Sequence, residues 1–133
     1  INFEYRKNDL SKDLIFLSAS LKGQKKIQKD IEKTIDIFKK KKFKTQPSQI
    51  KTGGSTFKNP KNQTKKKVWE LINQIIPKNK EFGDAAISDK HSNFFVNKKN
   101  ATYDQMIQLI DFVSMKIKKE TGIKLELEIE IVG

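Results

Sequence analysis

An α+β fold, a two-layer sandwich with helices on one face of a mainly antiparallel sheet, is what this 133-residue sequence predicts. Three observations lead there. Apolar residues recur at helical spacing in three segments, around residues 24–42, 68–75 and 101–121. Two short runs, Asp84–Ile87 and Phe94–Asn97, flank a polar turn and read as paired strands. The segment Lys124–Gly133 alternates strictly between apolar and polar side chains, the period of a strand with one buried face.

In chain order, Phe3 to Asn8 is polar with alternating aromatics, and Asp13–Leu21 reads as a largely buried strand that Lys22-Gly23 ends. The helix over 24–42 puts Ile27, Ile31, Ile35 and Phe38 on one face, which is expected to dock on a sheet. Its basic end, Lys39 to Lys42, complements the negative pole of the helix dipole. Thr45, Gln46, Pro47 and Ser48 mark a boundary between two structural units. The next helix carries Val68, Leu71, Ile72 and Ile75 on one face with Trp69 at its edge; Pro77 stops it, and Asn79 suits a left-handed turn. In the last helix Thr102 and Gln105 form a capping box, Tyr103, Met106, Ile107, Ile110, Val113 and Ile117 make the buried stripe, and Gly122 ends it. The closing strand turns Leu125, Leu127, Ile129 and Ile131 to a core and Glu126, Glu128 and Glu130 to the other face. Nothing in the alternation chooses among the three carboxylates.

Composition bounds the function. Hydrophobic residues make up 35%, enough for a core, and no apolar run approaches a membrane span, so a soluble chain without a membrane partner is expected. It opens on polar sequence without an initiator methionine or a secretory pattern, as expected of a chain that begins within a longer protein or has been processed. With no cysteine and a single histidine, His91, neither a thiolate site nor a two-imidazole zinc site is available, and no metal is expected. His91 itself reads as a turn residue with its ring nitrogens hydrogen-bonded. The net charge of +12 favours polyanions. However, the cations are nearly all lysine, spread over Lys39–Lys42, Lys65–Lys67 and Lys116–Lys119, without the aromatic and arginine interleaving that reads bases. Specific nucleic-acid binding is therefore not expected; a basic nucleic-acid-binding module or a non-catalytic interaction domain is the alternative reading.

The chemistry concentrates in Lys51-Thr52-Gly53-Gly54-Ser55-Thr56-Phe57-Lys58-Asn59-Pro60. Two adjacent glycines allow a tight turn, hydroxyls follow at once, and a proline prevents any regular element from continuing, so a small polar group is held up on a turn. There is no Gly-x-Ser-x-Gly elbow to make Ser55 a hydrolase nucleophile with His91 as base, and no Gly-Lys-Ser/Thr ending of a phosphate-binding loop.

The octamer from Gly53 to Pro60 resembles the serine loop of the UDP-N-acetylenolpyruvoylglucosamine reductases, flavoenzymes that make UDP-N-acetylmuramate for bacterial peptidoglycan. Other segments resemble the same family in order. Tyr5-Arg6 is similar to its Tyr-Arg pair, with Asn8 where a serine follows, and Lys42 to Pro47 resembles its Arg-x-x-x-Gln-Pro with lysine for the arginine. The Trp69 helix ends in Ile76-Pro77-Lys78-Asn79 where the family commonly has Gly-Leu-Lys-Gly, and Gly83 to Asn97 resembles Gly-x-Ala-x-Val-Ser-x-x-His-Ala-Asn-Phe-Ile-x-Asn. The C-terminus is similar to Leu-x-x-Glu-Val-x-x-Ile-Gly, which places the family's functional glutamate on Glu128.

The resemblance implies a cytoplasmic oxidoreductase in which NADPH reduces FAD and a hydride passes to the vinyl carbon of UDP-N-acetylglucosamine enolpyruvate. By similarity Ser55 protonates the resulting enolate and Arg6 holds the developing charge. Glu128 either orients Arg6 or, protonated, donates a hydrogen bond. Asn59 contacts the substrate diphosphate, with Lys42 as a weaker phosphate ligand and Tyr5 as a further substrate contact. Residues 1–45 would be a strand and helix from the end of the FAD-binding domain, and 46–133 the substrate-binding domain. The family's FAD-binding segment lies upstream of the Tyr-Arg pair, so the chain alone is expected to lack reductase activity and to bind flavin weakly.

Overall fold

The computed structural model describes residues 1–11 and 13–132, and divides into two compact units, Ile1–Lys33 and Thr34–Gly133. In the first unit, β1 (Phe3–Glu4) pairs antiparallel with β2 (Lys7–Asn8), so Tyr5 and Arg6 form the two-residue connection of a hairpin. Asn2 ties the hairpin ends: its backbone and side-chain amides donate to the two Asp9 carboxylate oxygens at 3.0 and 2.7 Å. Arg6 sits at φ 61, a left-handed conformation that a side chain other than glycine adopts at a cost of about 1 kcal/mol.

The buried strand expected over Asp13–Leu21 is not present. Leu14, Ile15, Phe16, Leu17 and Leu21 lie outside any helix or strand and are exposed. A strand of that pattern needs a sheet neighbour for its backbone groups, and among the described residues none pairs with it. The first helix forms as its periodicity demands, but as α1 over Gln28–Thr45, and none of its residues is buried. The expectation that its apolar face docks on a sheet is therefore corrected: Ile31 and Ile35 are exposed by 42% and 44%, and nothing among the described residues covers the stripe.

The second unit holds a four-stranded antiparallel sheet in the order β3-β6-β5-β4, formed by β3 (Lys51–Ser55), β4 (Glu81–Phe82), β5 (Ala85–Ile87) and β6 (Phe94–Asn97). With α2 (Val68–Ile75) and α3 (Tyr103–Thr121) packed against it, the fold is α+β, as the sequence predicts. The register Ala85↔Asn97, Ala86↔Val96, Ile87↔Phe95 places Ala85 and Phe95 in one core with Phe57, Val68, Leu71, Ile72, Leu109, Ile110, Val113 and Ile117. Each fully buried aliphatic or aromatic chain contributes about 1.5–3 kcal/mol.

The ends of the helices obey local chemistry. In α3 the Thr102 hydroxyl accepts from the Gln105 N–H at 3.2 Å, the Gln105 side chain accepts from the Thr102 N–H at 3.2 Å, and Gly122 closes the helix at φ 74. In α2 the Ile76 N–H reaches the Ile72 carbonyl at 2.9 Å, and Ile76 then turns extended because Pro77 clashes with a helical predecessor. Asn79 is not among the left-handed residues, so the stop rests on Pro77. The α3 stripe is shifted from the expected one: Tyr103 is 62% exposed, whereas Leu109 is completely buried.

The C-terminal segment keeps its alternation without becoming a strand. One bridge, Phe57↔Leu127, is its only ladder contact among the described residues, with Leu125, Leu127 and Ile129 half-buried against the core and Ile131 exposed. The expected endpoint Gly133 lies outside the described residues. Leu109→Ala is expected to lower the unfolding free energy of the chain by about 2–5 kcal/mol in a urea titration. Ile35→Ala on bare α1 should change it by about 0.5 kcal/mol or less.

Candidate active site

Ser55 ends β3 opposite Phe94, just after a bulge that breaks the pairing between Thr52 and Ser55. The two glycines thus form a strand irregularity, where a tight turn is the sequence expectation. Gly54 takes φ +92, which only glycine adopts without strain, and the space around the position of a Cβ there is open. Thr52 fixes the bulge: its hydroxyl donates to the Phe95 carbonyl at 2.7 Å and accepts from the Gly54 N–H at 3.3 Å. Ser55 is therefore carried, half-buried, on backbone held from two sides.

Beyond Ser55 the chain has no regular structure, yet Thr56 and Phe57 are buried. Their backbone groups must find partners. The Thr56 N–H donates to the Asn93 carbonyl at 2.7 Å, the Phe57 N–H donates to Asn93 Oδ1 at 3.1 Å, and Asn93 Nδ2 donates to the Phe57 carbonyl at 2.8 Å. On the other side the Lys58 N–H donates to the Glu126 carbonyl at 2.8 Å and the Glu128 N–H to the Thr56 carbonyl at 2.9 Å. Glu128 is thereby attached to the residue that follows Ser55. It is half-buried while Glu126 and Glu130 are exposed, a distinction that alternation alone does not make. Gln63 secures the same segment, exchanging two hydrogen bonds of 2.8 Å with the backbone of Lys124.

Asn59 has a structural task. Its Oδ1 accepts from the N–H of Val68 at 3.1 Å, while Glu70 accepts from the Lys67 N–H at 2.7 Å. Two donors at the start of α2 are satisfied in this way, because the N-cap is a lysine that cannot accept.

Of the residues singled out in the sequence, Ser55, Asn59 and Glu128 fall on one cluster of segments in the second unit. Lys42 belongs to the same unit, exposed in the last turn of α1. Tyr5 and Arg6 belong to the first unit, at the hairpin tip, with the guanidinium 5.6 Å from the centre of the Tyr5 ring. Sequence reasoning missed Asn93, Thr52 and Gln63. Each is a short polar side chain bonding to backbone distant in sequence, which no local spacing announces. Among the described residues no group of three or more histidines, aspartates or glutamates could hold a metal ion.

His91 is a structural residue. Its Nδ1 accepts from the Asn93 N–H at 3.2 Å, its carbonyl accepts from the Phe94 N–H at 2.9 Å, and its ring meets that of Phe94 edge-on at 4.9 Å. Burial holds its pKa below the ordinary 6.5, partly offset by a backbone hydrogen bond. Between the lowered folded value and 6.5 the unfolded chain binds more protons, so stability falls as pH drops through that window. Thermal unfolding between about pH 7.5 and 5 should show this slope, and His91→Gln should flatten it.

Residues 46–132 match the family model described as UDP-N-acetylenolpyruvoylglucosamine reductase, C-terminal domain. A reductase of that name from Pelagibacter ubique is 58% identical over 130 residues, covering 98% of this chain and 43% of the relative. One from Rickettsia bellii is 41% identical over 133 residues, covering 100% and 43%. The crystal structure of the UDP-N-acetylenolpyruvylglucosamine reductase from Thermus caldophilus superposes with a TM-score of 0.63 at 31% identity, covering 80% of this chain and 36% of that one. The chain thus spans less than half the length of the curated relatives it matches. Match, identity and fold agree: the chain belongs to the UDP-N-acetylenolpyruvoylglucosamine reductase family.

Proposed function

We propose that this chain supplies the UDP-sugar site and the proton donor of a reductase that converts UDP-N-acetylglucosamine enolpyruvate to UDP-N-acetylmuramate for peptidoglycan. Residues 46–133 form its substrate-binding domain, and residues 1–45 the end of its FAD-binding domain. The observation that carries this reading is the hydrogen bond from the Glu128 N–H to the Thr56 carbonyl, which joins the segments of the two reacting residues beside a glycine bulge.

FAD, when bound, supplies the hydride for the vinyl carbon and NADPH restores it, the flavin being held mainly by parts of the protein beyond this chain. The bare backbone at Gly54 fits the approach of a flat ring beside Ser55. Addition of hydride to the terminal carbon of the enolpyruvyl group breaks its C=C bond and leaves an enolate on the carboxylate side. Ser55 gives its hydroxyl proton to the carbon next to that carboxylate, completing the second C–H bond, and recovers a proton from water. A serine hydroxyl is a weak acid, so the step depends on position and on the strong basicity of an enolate carbon. By the family resemblance Arg6 is assigned to hold the developing negative charge with fixed donors, and Glu128 to assist in stabilising the enolate. Asn59 and Lys42 meet the substrate diphosphate, Lys42 as a point charge without the fork of an arginine, and Tyr5 lies along the substrate.

Joined to the remainder of the Pelagibacter ubique relative, the chain should reduce the enolpyruvyl substrate, and Ser55→Ala should lower turnover by about 10²–10⁴-fold. Undiminished turnover in that variant would remove Ser55 from the chemistry. Asn59→Asp keeps an acceptor for the Val68 N–H but sets a negative charge against the diphosphate. In calorimetric titration with the substrate it should weaken binding about tenfold or more at an unchanged melting temperature. The chain alone should purify without stoichiometric yellow flavin.

A further inference from the structure

We propose that Asn93 is a positioning residue that fixes the Ser55 hydroxyl and the Glu128 carboxylate relative to each other. The inference rests on the reading of those two residues as reacting groups. It comes from how the segment between them is held.

Thr56 and Phe57 are the link. Ser55 precedes them directly, and Glu128 is attached through the Thr56 carbonyl at 2.9 Å. Three of the four backbone groups of this pair are held by Asn93: the Thr56 N–H by its carbonyl, and the Phe57 N–H and carbonyl by its side chain at 3.1 and 2.8 Å. A carboxamide presents one acceptor and donors on the same plane, so it pairs with a backbone N–H and C=O as an adjacent strand would. Here a single side chain supplies the ladder that β6 no longer reaches, since its pairing with β3 ends at Ser55↔Phe94. Asn93 is 5% exposed, so neither side-chain bond is readily replaced by solvent. Its backbone N–H is itself held by His91 Nδ1, and the Ser92 hydroxyl donates to the Trp69 carbonyl at 2.8 Å, which anchors the turn that presents Asn93 on α2.

The clamp governs geometry and leaves the substrate untouched. Losing it lets Thr56 and Phe57 shift against β6, so Ser55 and the attachment of Glu128 move independently. A shift of about 1 Å is enough to cost on the order of 10²-fold in rate.

The test uses two substitutions. Asn93→Asp retains the acceptor at neutral pH but faces the Phe57 carbonyl with a second acceptor; once protonated, its carboxyl again presents a donor and an acceptor. Asn93→Ser loses the planar pair without adding charge. In the chain itself, both variants should speed amide hydrogen exchange at Phe57 and Glu128 while Val113 and Ile117 in α3 keep their protection. In the reductase joined to the Pelagibacter ubique remainder, both should lose at least tenfold in kcat with KM within about twofold. The ratio of the Asp variant to wild type should recover as pH falls, whereas that of the Ser variant should not. Comparing each variant with wild type at the same pH removes the contribution of His91, the titratable neighbour of Asn93.

Unchanged exchange at Phe57 and Glu128, unchanged kcat, or an equal loss of protection throughout α3 would each overturn the proposal. Ser55→Ala in the same reductase separates the two readings. If it retains full turnover, the assignment of Ser55 fails, and the exchange data still decide whether Asn93 clamps the loop.

Discussion

Phe57 stands at the point where the second unit is tied together. Its ring is 1% exposed, edge-on to Phe95 with centroids 5.8 Å apart, and belongs to the same core as α2 and α3. Its backbone, in a segment without regular structure, is hydrogen-bonded by Asn93 on one side and bridged to Leu127 on the other. Burying an irregular segment is costly unless every amide finds a partner. Here the partners come from a side chain and from the C-terminal segment, so the polar chemistry of the serine loop and the apolar packing of the core depend on one residue. A loop anchored in this way behaves as part of the scaffold.

Burial is distributed unevenly along the chain. In the second unit the helical stripes of α2 and α3 are covered, and the buried side chains form one contiguous cluster. In α1 and over residues 14–21 equally apolar side chains lie open. The apolar residues of α1 recur at helical spacing as the covered ones of α2 and α3 do, so the difference lies in what is available to cover them. The chain matches less than half the length of its curated relatives. An uncovered apolar stripe of this kind is an unfavourable surface in water.

The sequence was legible where the chemistry was local. The Thr102 and Gln105 capping box, the stop at Pro77, the α2 face and the β5–β6 pair follow from residues a few positions apart, and each appears where spacing places it. Strand assignments that needed a partner failed: among the described residues Asp13–Leu21 has no neighbouring strand and the perfect alternation after Lys124 yields a single bridge, because alternation records which face is apolar and not whether another backbone lies alongside. The same limit applies to the site. Glycines and a serine in succession announce an exposed hydroxyl, but neither the Thr52 hydroxyl that sets the bulge nor the Asn93 amide that holds the loop is marked by spacing, since their partners lie 43 and 36 residues away. By alternation alone Glu128 is equivalent to its two neighbours; the family resemblance singles it out, and in the structure its partial burial and the bond from its N–H to the Thr56 carbonyl set it apart.

Under the proposed role of Ser55, the bracing of this loop has a chemical reason. If a serine is to protonate carbon, it cannot rely on a favourable pKa; the remaining means are the basicity of the enolate and the constancy of the approach. Constancy demands that the hydroxyl be carried on backbone with no freedom to relax, which explains why a glycine-rich stretch, ordinarily a source of flexibility, is braced by Thr52 before the serine and by Asn93 after it. The glycines then serve to bare the backbone and to create the bulge. The backbone of Glu128 joins the same braced stretch through its N–H on the Thr56 carbonyl at 2.9 Å, so the residue after the serine is held from the C-terminal segment as well as from Asn93. Backbone hydrogen bonds of this kind fix the course of a segment independently of its side chains, a form of rigidity that a side-chain ion pair between the two segments would not provide.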